Sequence, residues 1–127
     1  MLGDKDAAAT IAVKDVNVAK KFYEGTLGLK PATTGAQEPG VLVYKSGNSM
    51  VLVYRSQYAG TNKATAATWS VGDNIEGVVQ ALKAKGVVFE HYDFPGAKRE
   101  GDVHLTGKTK AAWFKDPDGN ILSLISQ

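Results

Sequence analysis

The chain contains no cysteine, only two histidines, two methionines and two tryptophans in 127 residues. Without cysteine there are no disulfides and no thiolate metal ligands, and a reducing cytoplasm is the expected compartment. No run of eighteen apolar residues occurs, which excludes a helical membrane span. The opening "MLGDKDAAAT" carries two acids and no apolar stretch, so no signal peptide is expected. The formal charge is only +2 and the lysines are scattered, as in "VAKKFYEG" and "LKAKG". Nucleic-acid binding calls for a clustered basic stripe with interleaved aromatics, so a nucleic-acid partner is not expected. No phosphate-binding loop, nucleophile elbow or zinc signature is present.

What remains is an ordinary globular composition, 43% hydrophobic and 22% charged, in a length suited to one domain. "AAATIAV" (7–13) reads as a strand. Asp15 and Asn17 offer a helix cap, and Val18, Ala19, Phe22 and Tyr23 follow at helical spacing until Gly25 and Gly28. "LKPATT" is weakly strand-like, with Pro31 suggesting an edge. "GVLVYKSGNSMVLVYRS" holds two β runs around a Ser46-Gly47-Asn48 turn.

The second half repeats the plan. "TAATWSV" (65–71) reads as a strand, Asp73 and Glu76 as a capping box, and Ile75, Val78, Val79 and Leu82 as a helix stripe that Gly86 ends. "VVFEHYD" reads as a strand and "FPGAKREGDVHLTG" as a long polar loop, either a lid or a flexible connector. "KTKAAWF" and "NILSLIS" pair across Asp116-Pro117-Asp118-Gly119. Val13-Lys14-Asp15 and Val71-Gly72-Asp73 stand 58 residues apart, as do Gly28 and Gly86. The helix stripes between these anchors run out of phase by about one residue. The expected fold is α+β: one domain spanning 1–127, built of two βαβββ modules at about 7–57 and 64–126.

The stretches "IAVKDVNVAKKFYEGTLGLKP", "WSVGDNIEGVVQALKAKGVVFE" and "FKDPDGNILSL" resemble the vicinal oxygen chelate superfamily, which includes glyoxalase I, extradiol dioxygenases and bleomycin-resistance proteins. The resemblance implies two βαβββ modules curling into a half-open barrel around a pocket, and a homodimer. It also implies a divalent metal held by His, Gln or Glu from the first and last strands of each module. Carried onto this chain, those four slots hold Ala8, Val51, Ala66 and Ser123. Alanine and valine have no donor atom and a neutral hydroxyl is a poor ligand, so no metal cofactor is expected. The neighbours Ala7, Ala9, Met50, Leu52, Thr65, Ala67, Leu122 and Leu124 include no His or carboxylate. His91 and His104 are expected to be partly exposed beside carboxylates that favour their protonation.

If the slots face inward, strand alternation sends Thr10, Ala12, Val53, Arg55, Thr68, Ser70, Ile121 and Ile125 into the pocket with them. Ile11, Val13, Leu52, Trp69, Val71, Leu122 and Leu124 would pack under the helices. The ligand-binding set expected is Thr10, Tyr44, Val51, Val53, Arg55, Ala66, Thr68, Trp113 and Ser123. Within it Arg55 is either an anion clamp or a solvated strand end. Tyr44 and Trp113 are either stacking platforms or core. The first functional reading is a metal-independent binding protein for a small neutral or anionic organic ligand. The alternative is a lyase, isomerase or dioxygenase of the same superfamily with a noncanonical metal or none, for which Glu38, Glu90, His91, His104 and Tyr44 are the acid–base candidates. A third is a structural or regulatory dimer with a vestigial pocket.

Overall fold

The computed structural model describes residues 1–32 and 39–127; Thr33, Thr34 and Glu38 lie outside the described residues. β1 (Ala9–Val13) leads into α1 (Val16–Lys20). Asp15 caps α1, its Oδ1 accepting from the Asn17 amide at 2.8 Å and the Val18 amide at 3.4 Å. The free first-turn amides gain an acceptor that water would otherwise supply. α1 then widens into a π-helical turn over Lys21–Thr26, with the Leu27 amide donating to the Phe22 carbonyl five residues back. A π turn absorbs one extra residue.

β2 (Lys30–Pro31), β3 (Val41–Ser46) and β4 (Ser49–Arg55) complete a four-stranded sheet in the order β1-β4-β3-β2. The second half supplies β5 (Thr65–Ser70), α2 (Ile75–Ala84), β6 (Phe89–Glu90), β7 (Lys98–Glu100), β8 (Val103–Thr106), β9 (Thr109–Lys115) and β10 (Ile121–Ile125). Its sheet runs β5-β10-β9-β8-β7, with β6 also pairing β9. The result is an α+β fold of two modules on the βαβββ plan, the second with five strands after its helix where the first has three, whose sheets form a half-open barrel.

Three local expectations change. The segment expected as a polar loop at 94–107 contains the β7–β8 hairpin, while the strand expected over 87–93 shrinks to Phe89–Glu90. β6 and β8 share one edge of β9: Phe89 and Glu90 pair with Phe114 and Trp113, and His104 to Thr106 pair with Ala111 to Thr109. Asp73 does not cap α2. Gly72–Asn74 is a 3₁₀ turn and the Asn74 cap position makes no side-chain bond, while Glu76 instead accepts from Lys110 Nζ at 2.7 Å.

The two modules share one apolar core, in which Ile11, Val13, Val53, Tyr23, Phe114 and Leu122 are almost fully enclosed. Burying each such side chain stabilises by about 1.5–3 kcal/mol. β1 and β5 lie side by side where the sheets meet. The Asp116–Gly119 turn fastens that seam. Asn120 Nδ2 donates to the Ala12 carbonyl at 2.7 Å, the Lys14 amide donates to Asp118 Oδ2 at 3.2 Å, and the Tyr23 hydroxyl donates to Asp116 Oδ2 at 2.7 Å. Gly60 (φ +73°) packs so closely that a Cβ there would overlap the Asp118 carbonyl oxygen; only glycine fits.

Candidate functional site

Strand register decides which side chains reach the inner face, away from the helices. In the second sheet Thr68 pairs with Ser123 and Ser123 with Trp113, so these three form one row across the inner face. Ser123 is 3% exposed and its Oγ lies 2.7 Å from Thr68 Oγ1. Ile125 stands opposite Ser70 and Ala111 in the next row. Ala66 sits at the register shift between the Ile121 and Leu122 pairings. Trp69, Leu122 and Leu124 take the other face, toward α2, as alternation requires.

Trp113 is the centre of an aromatic group. The rings of Tyr92, Phe94 and His104 stand edge-on to it, at centroid distances of 5.5, 6.1 and 4.9 Å. Beside it opens a cleft of about 390 Å³, bordered by Lys63, Thr65, Tyr92, Phe94, Trp113 and Ile121. Tyr92, Phe94 and Lys63 were not among the residues singled out from the sequence. The two-residue spacing of Tyr92 and Phe94 in "HYDF" is the signal that puts both on one side of an extended chain.

His104 departs from its expectation. It is 1% exposed, with its Nε2 accepting from the Tyr92 amide at 2.9 Å. That bond leaves the ring proton on Nδ1. Burial lowers its pKa and keeps it neutral; the Ala111 backbone, the next-largest influence, opposes this, while His91 and Arg99 add smaller lowering contributions. His91 lies nearer the surface, its Nε2 2.7 Å from Asp102 Oδ1. Asp102 also accepts from Lys83 Nζ at 2.7 Å, and these two bonds hold its carboxyl below the usual range.

The first sheet corrects the expected pocket wall. Ile11 pairs with Val53 and Thr10 with Leu52, so Val51 and Val53 join Ile11 in the core, at 3% and 0% exposure. Leu52, expected under the helices, faces inward with Met50 and Tyr54. Thr10 and Ala12 are on the inner face, as expected, and Ala8 is exposed just before β1. Arg55 ends β4 exposed, beside Gly40 and Tyr54. Tyr44 is core: it is 1% exposed, stacked 6.3 Å from Tyr23, and donates to Glu24 Oε2 at 2.8 Å. Burial first, then the Glu24 bond, raises its phenol pKa out of the working range. The same holds for Tyr23, through burial and then Asp116.

The sequence profile of the Glyoxalase/Bleomycin resistance protein/Dioxygenase superfamily matches residues 7–124. The chain belongs to that superfamily. Solved structures share the fold. A glyoxalase family protein from Enterococcus faecalis is 20% identical, with 98% of this chain and 99% of that one covered at a TM-score of 0.71. A lactoylglutathione lyase from Agrobacterium tumefaciens is 16% identical, with coverage of 96% and 92% and a TM-score of 0.69. The fosfomycin resistance protein FosX from Mesorhizobium loti is 10% identical, with coverage of 98% and 92% and a TM-score of 0.68. No curated protein matches the chain.

A glyoxalase-superfamily member raises the question of a divalent ion between the strands. The slots here present Ala8, the core residue Val51, Ala66, and Ser123 with its hydroxyl engaged by Thr68. The inner-face neighbours on β4 add only the Met50 thioether and the Leu52 alkyl group. Among the described residues no group of three or more His, Cys, Asp or Glu side chains converges. This donor set does not fit a divalent ion, which wants imidazole or anionic oxygen. Among the described residues no helix is long and apolar enough to cross a membrane.

Proposed function

We propose that this superfamily member is a metal-independent binding protein for a small neutral or anionic organic molecule, acting as a homodimer in the cytoplasm. The observation that carries the reading is the cleft beside Trp113. Its volume, about 390 Å³, falls within the usual range for small-ligand sites. Its walls are the aromatic rings of Tyr92, Phe94 and Trp113, and its one charged lining residue is Lys63. A cation at the rim and no carboxylate in the wall favour a neutral or anionic ligand. Ser123 and Thr68, bound to each other in the row behind Trp113, leave that surface with hydroxyls instead of metal donors. Tyr54 and Phe94, each more than a third exposed, offer apolar surface for a second copy to cover.

A turnover reading would need a poised acid or base at the cleft. Two titratable rings touch Trp113, His104 and Tyr92. His104 Nε2 is committed to the Tyr92 amide, while His104 Nδ1 and the Tyr92 hydroxyl are buried without a hydrogen-bond partner among the described residues, and no carboxylate lines the cleft. Native mass spectrometry of the protein as isolated tests the binding reading. A small-molecule adduct is expected on the wild type, with at least tenfold lower occupancy on Trp113→Ala. Undiminished occupancy in that variant would place the ligand elsewhere and sink the assignment.

A further inference from the structure

Between β6 and β7 the chain at 91–97 belongs to no strand or helix. Among the described residues, the one main-chain hydrogen bond that ties this stretch to the rest of the fold is the Tyr92 amide donating to His104 Nε2 at 2.9 Å. Ring contacts reinforce it. Phe94 lies parallel to the imidazole at 6.0 Å, and Tyr92 stands 6.3 Å from it. Tyr92 and Phe94 are two of the three aromatic walls of the inner cleft, and the third, Trp113, packs edge-on against the same imidazole at 4.9 Å. One buried ring thus sets the position of the other three.

The bond depends on protonation state. Nε2 accepts an amide N–H only while it keeps its lone pair. A proton there sets two N–H groups against each other and leaves both unpaired. The surrounding charge does not compensate. Arg99 stands opposite His104 where β7 pairs with β8, and the His91 ring lies 6.5 Å away. Asp102 is already engaged by Lys83 and His91, and Glu90, opposite Trp113, by Lys115 at 3.4 Å. Asp93 and Glu100 are exposed, β9 places the uncharged Ala111 opposite the ring, and the charge at the cleft is Lys63. At 1% exposure, an imidazolium in this enclosure is a cation with neither water nor a counter-ion.

We propose that His104 is the latch of the inner cleft: neutral, it holds Tyr92 and Phe94 in the wall, and on taking a proton at Nε2 it releases residues 91–97 and opens the site. One consequence, that acidification empties the cleft, rests on the reading of the cleft as a ligand site. The released ring titrates near its ordinary 6.5 and the latched ring lower. Opening therefore grows as pH falls below 6.5, by up to about tenfold per pH unit until the latched value is reached.

Amide hydrogen exchange of the whole protein, followed by NMR and corrected for the intrinsic rate, tests the latch. It needs no ligand, so its failure is distinct from undiminished occupancy in Trp113→Ala. Protection of the Tyr92 amide is expected to hold between pH 7.5 and 7 and to fall by at least about threefold between pH 6.5 and 5.5. Leu124, on β10 between β5 and β9, should stay protected throughout. His104→Gln offers an amide oxygen that acid does not protonate, so it should keep Tyr92 protected at every pH, whereas His104→Ala should leave it unprotected at every pH. In Trp69→Phe, Trp113 is the one remaining indole, and its emission should shift to the red over the same pH range. Flat Tyr92 protection in the wild type, or an equal fall in His104→Gln, would overturn the latch. So would a parallel loss at Leu124, which would assign the change to global unfolding.

Discussion

Asp116 is the residue on which the joint between the two modules turns. It is 5% exposed, yet its carboxylate takes four donors. The amides of Asp118 and Asn120 reach Oδ1 at 2.9 and 2.8 Å, and the Tyr23 hydroxyl and Asn120 Nδ2 reach Oδ2 at 2.7 and 2.8 Å. Such bonds in a dry site are strong, and stripping the acceptor leaves buried donors unpaired. Asp116→Ala is therefore expected to lower stability by about 3 kcal/mol or more. Tyr23→Phe, which removes one bond of the four, should cost about 1.5 kcal/mol. Urea midpoints at unchanged slope check both. A loss below about 1 kcal/mol for Asp116→Ala would mean that the turn is not what holds the modules together. The tight turn itself is legible in Asp-Pro-Asp-Gly, but its role as a fastening is not, because Tyr23 lies 93 residues away.

Among the elements, the β7–β8 hairpin departs furthest from what the sequence suggests. Lys98, Arg99 and Glu100 are all exposed, so β7 has no alternation to betray it. β8 buries Val103 and His104 side by side. A histidine in a polar stretch reads as surface until the strand beside it is known. β4 hides its facing for the opposite reason: Met50 to Tyr54 is apolar throughout, so either parity could meet the core. Pairing of Val53 with Ile11 settles it. The capped helix start at Asp15 and the Ser46–Asn48 hairpin were readable because each has a local cause.

The buried histidine gives the hairpin a pH dependence. His104 titrates near 6.5 when free, and burial lowers that value in the fold. Below about pH 6.5 the unfolded chain holds the extra proton, so stability falls with acidification until the lower folded pKa is passed. Asp102 does not confound this window. Its depressed carboxyl contributes stability that is lost only as pH drops below its ordinary 3.8. Urea midpoints at pH 7, 6 and 5 should decline in the wild type and decline less steeply in His104→Gln. An unchanged slope in the variant would exclude His104 as the titrating group.

At the scale of the whole molecule, two modules of one plan close into a half-open barrel around an inner face built for aromatic contact. The family's strand geometry is kept, while the donor atoms that would make it a chelating site are not at its slots. Val51 has gone into the core and Ser123 is tied to Thr68. The first module contributes Thr10, Leu52 and Tyr54 to the inner face, and the second contributes Trp113 and its ring neighbours. Recognition would rest on aromatic contact and the Lys63 charge. Elemental analysis of the purified protein, before any chelator treatment, tests this most directly. The account predicts divalent metal well below one equivalent per subunit, and one tightly held Ni, Zn, Fe or Mn per subunit would contradict it.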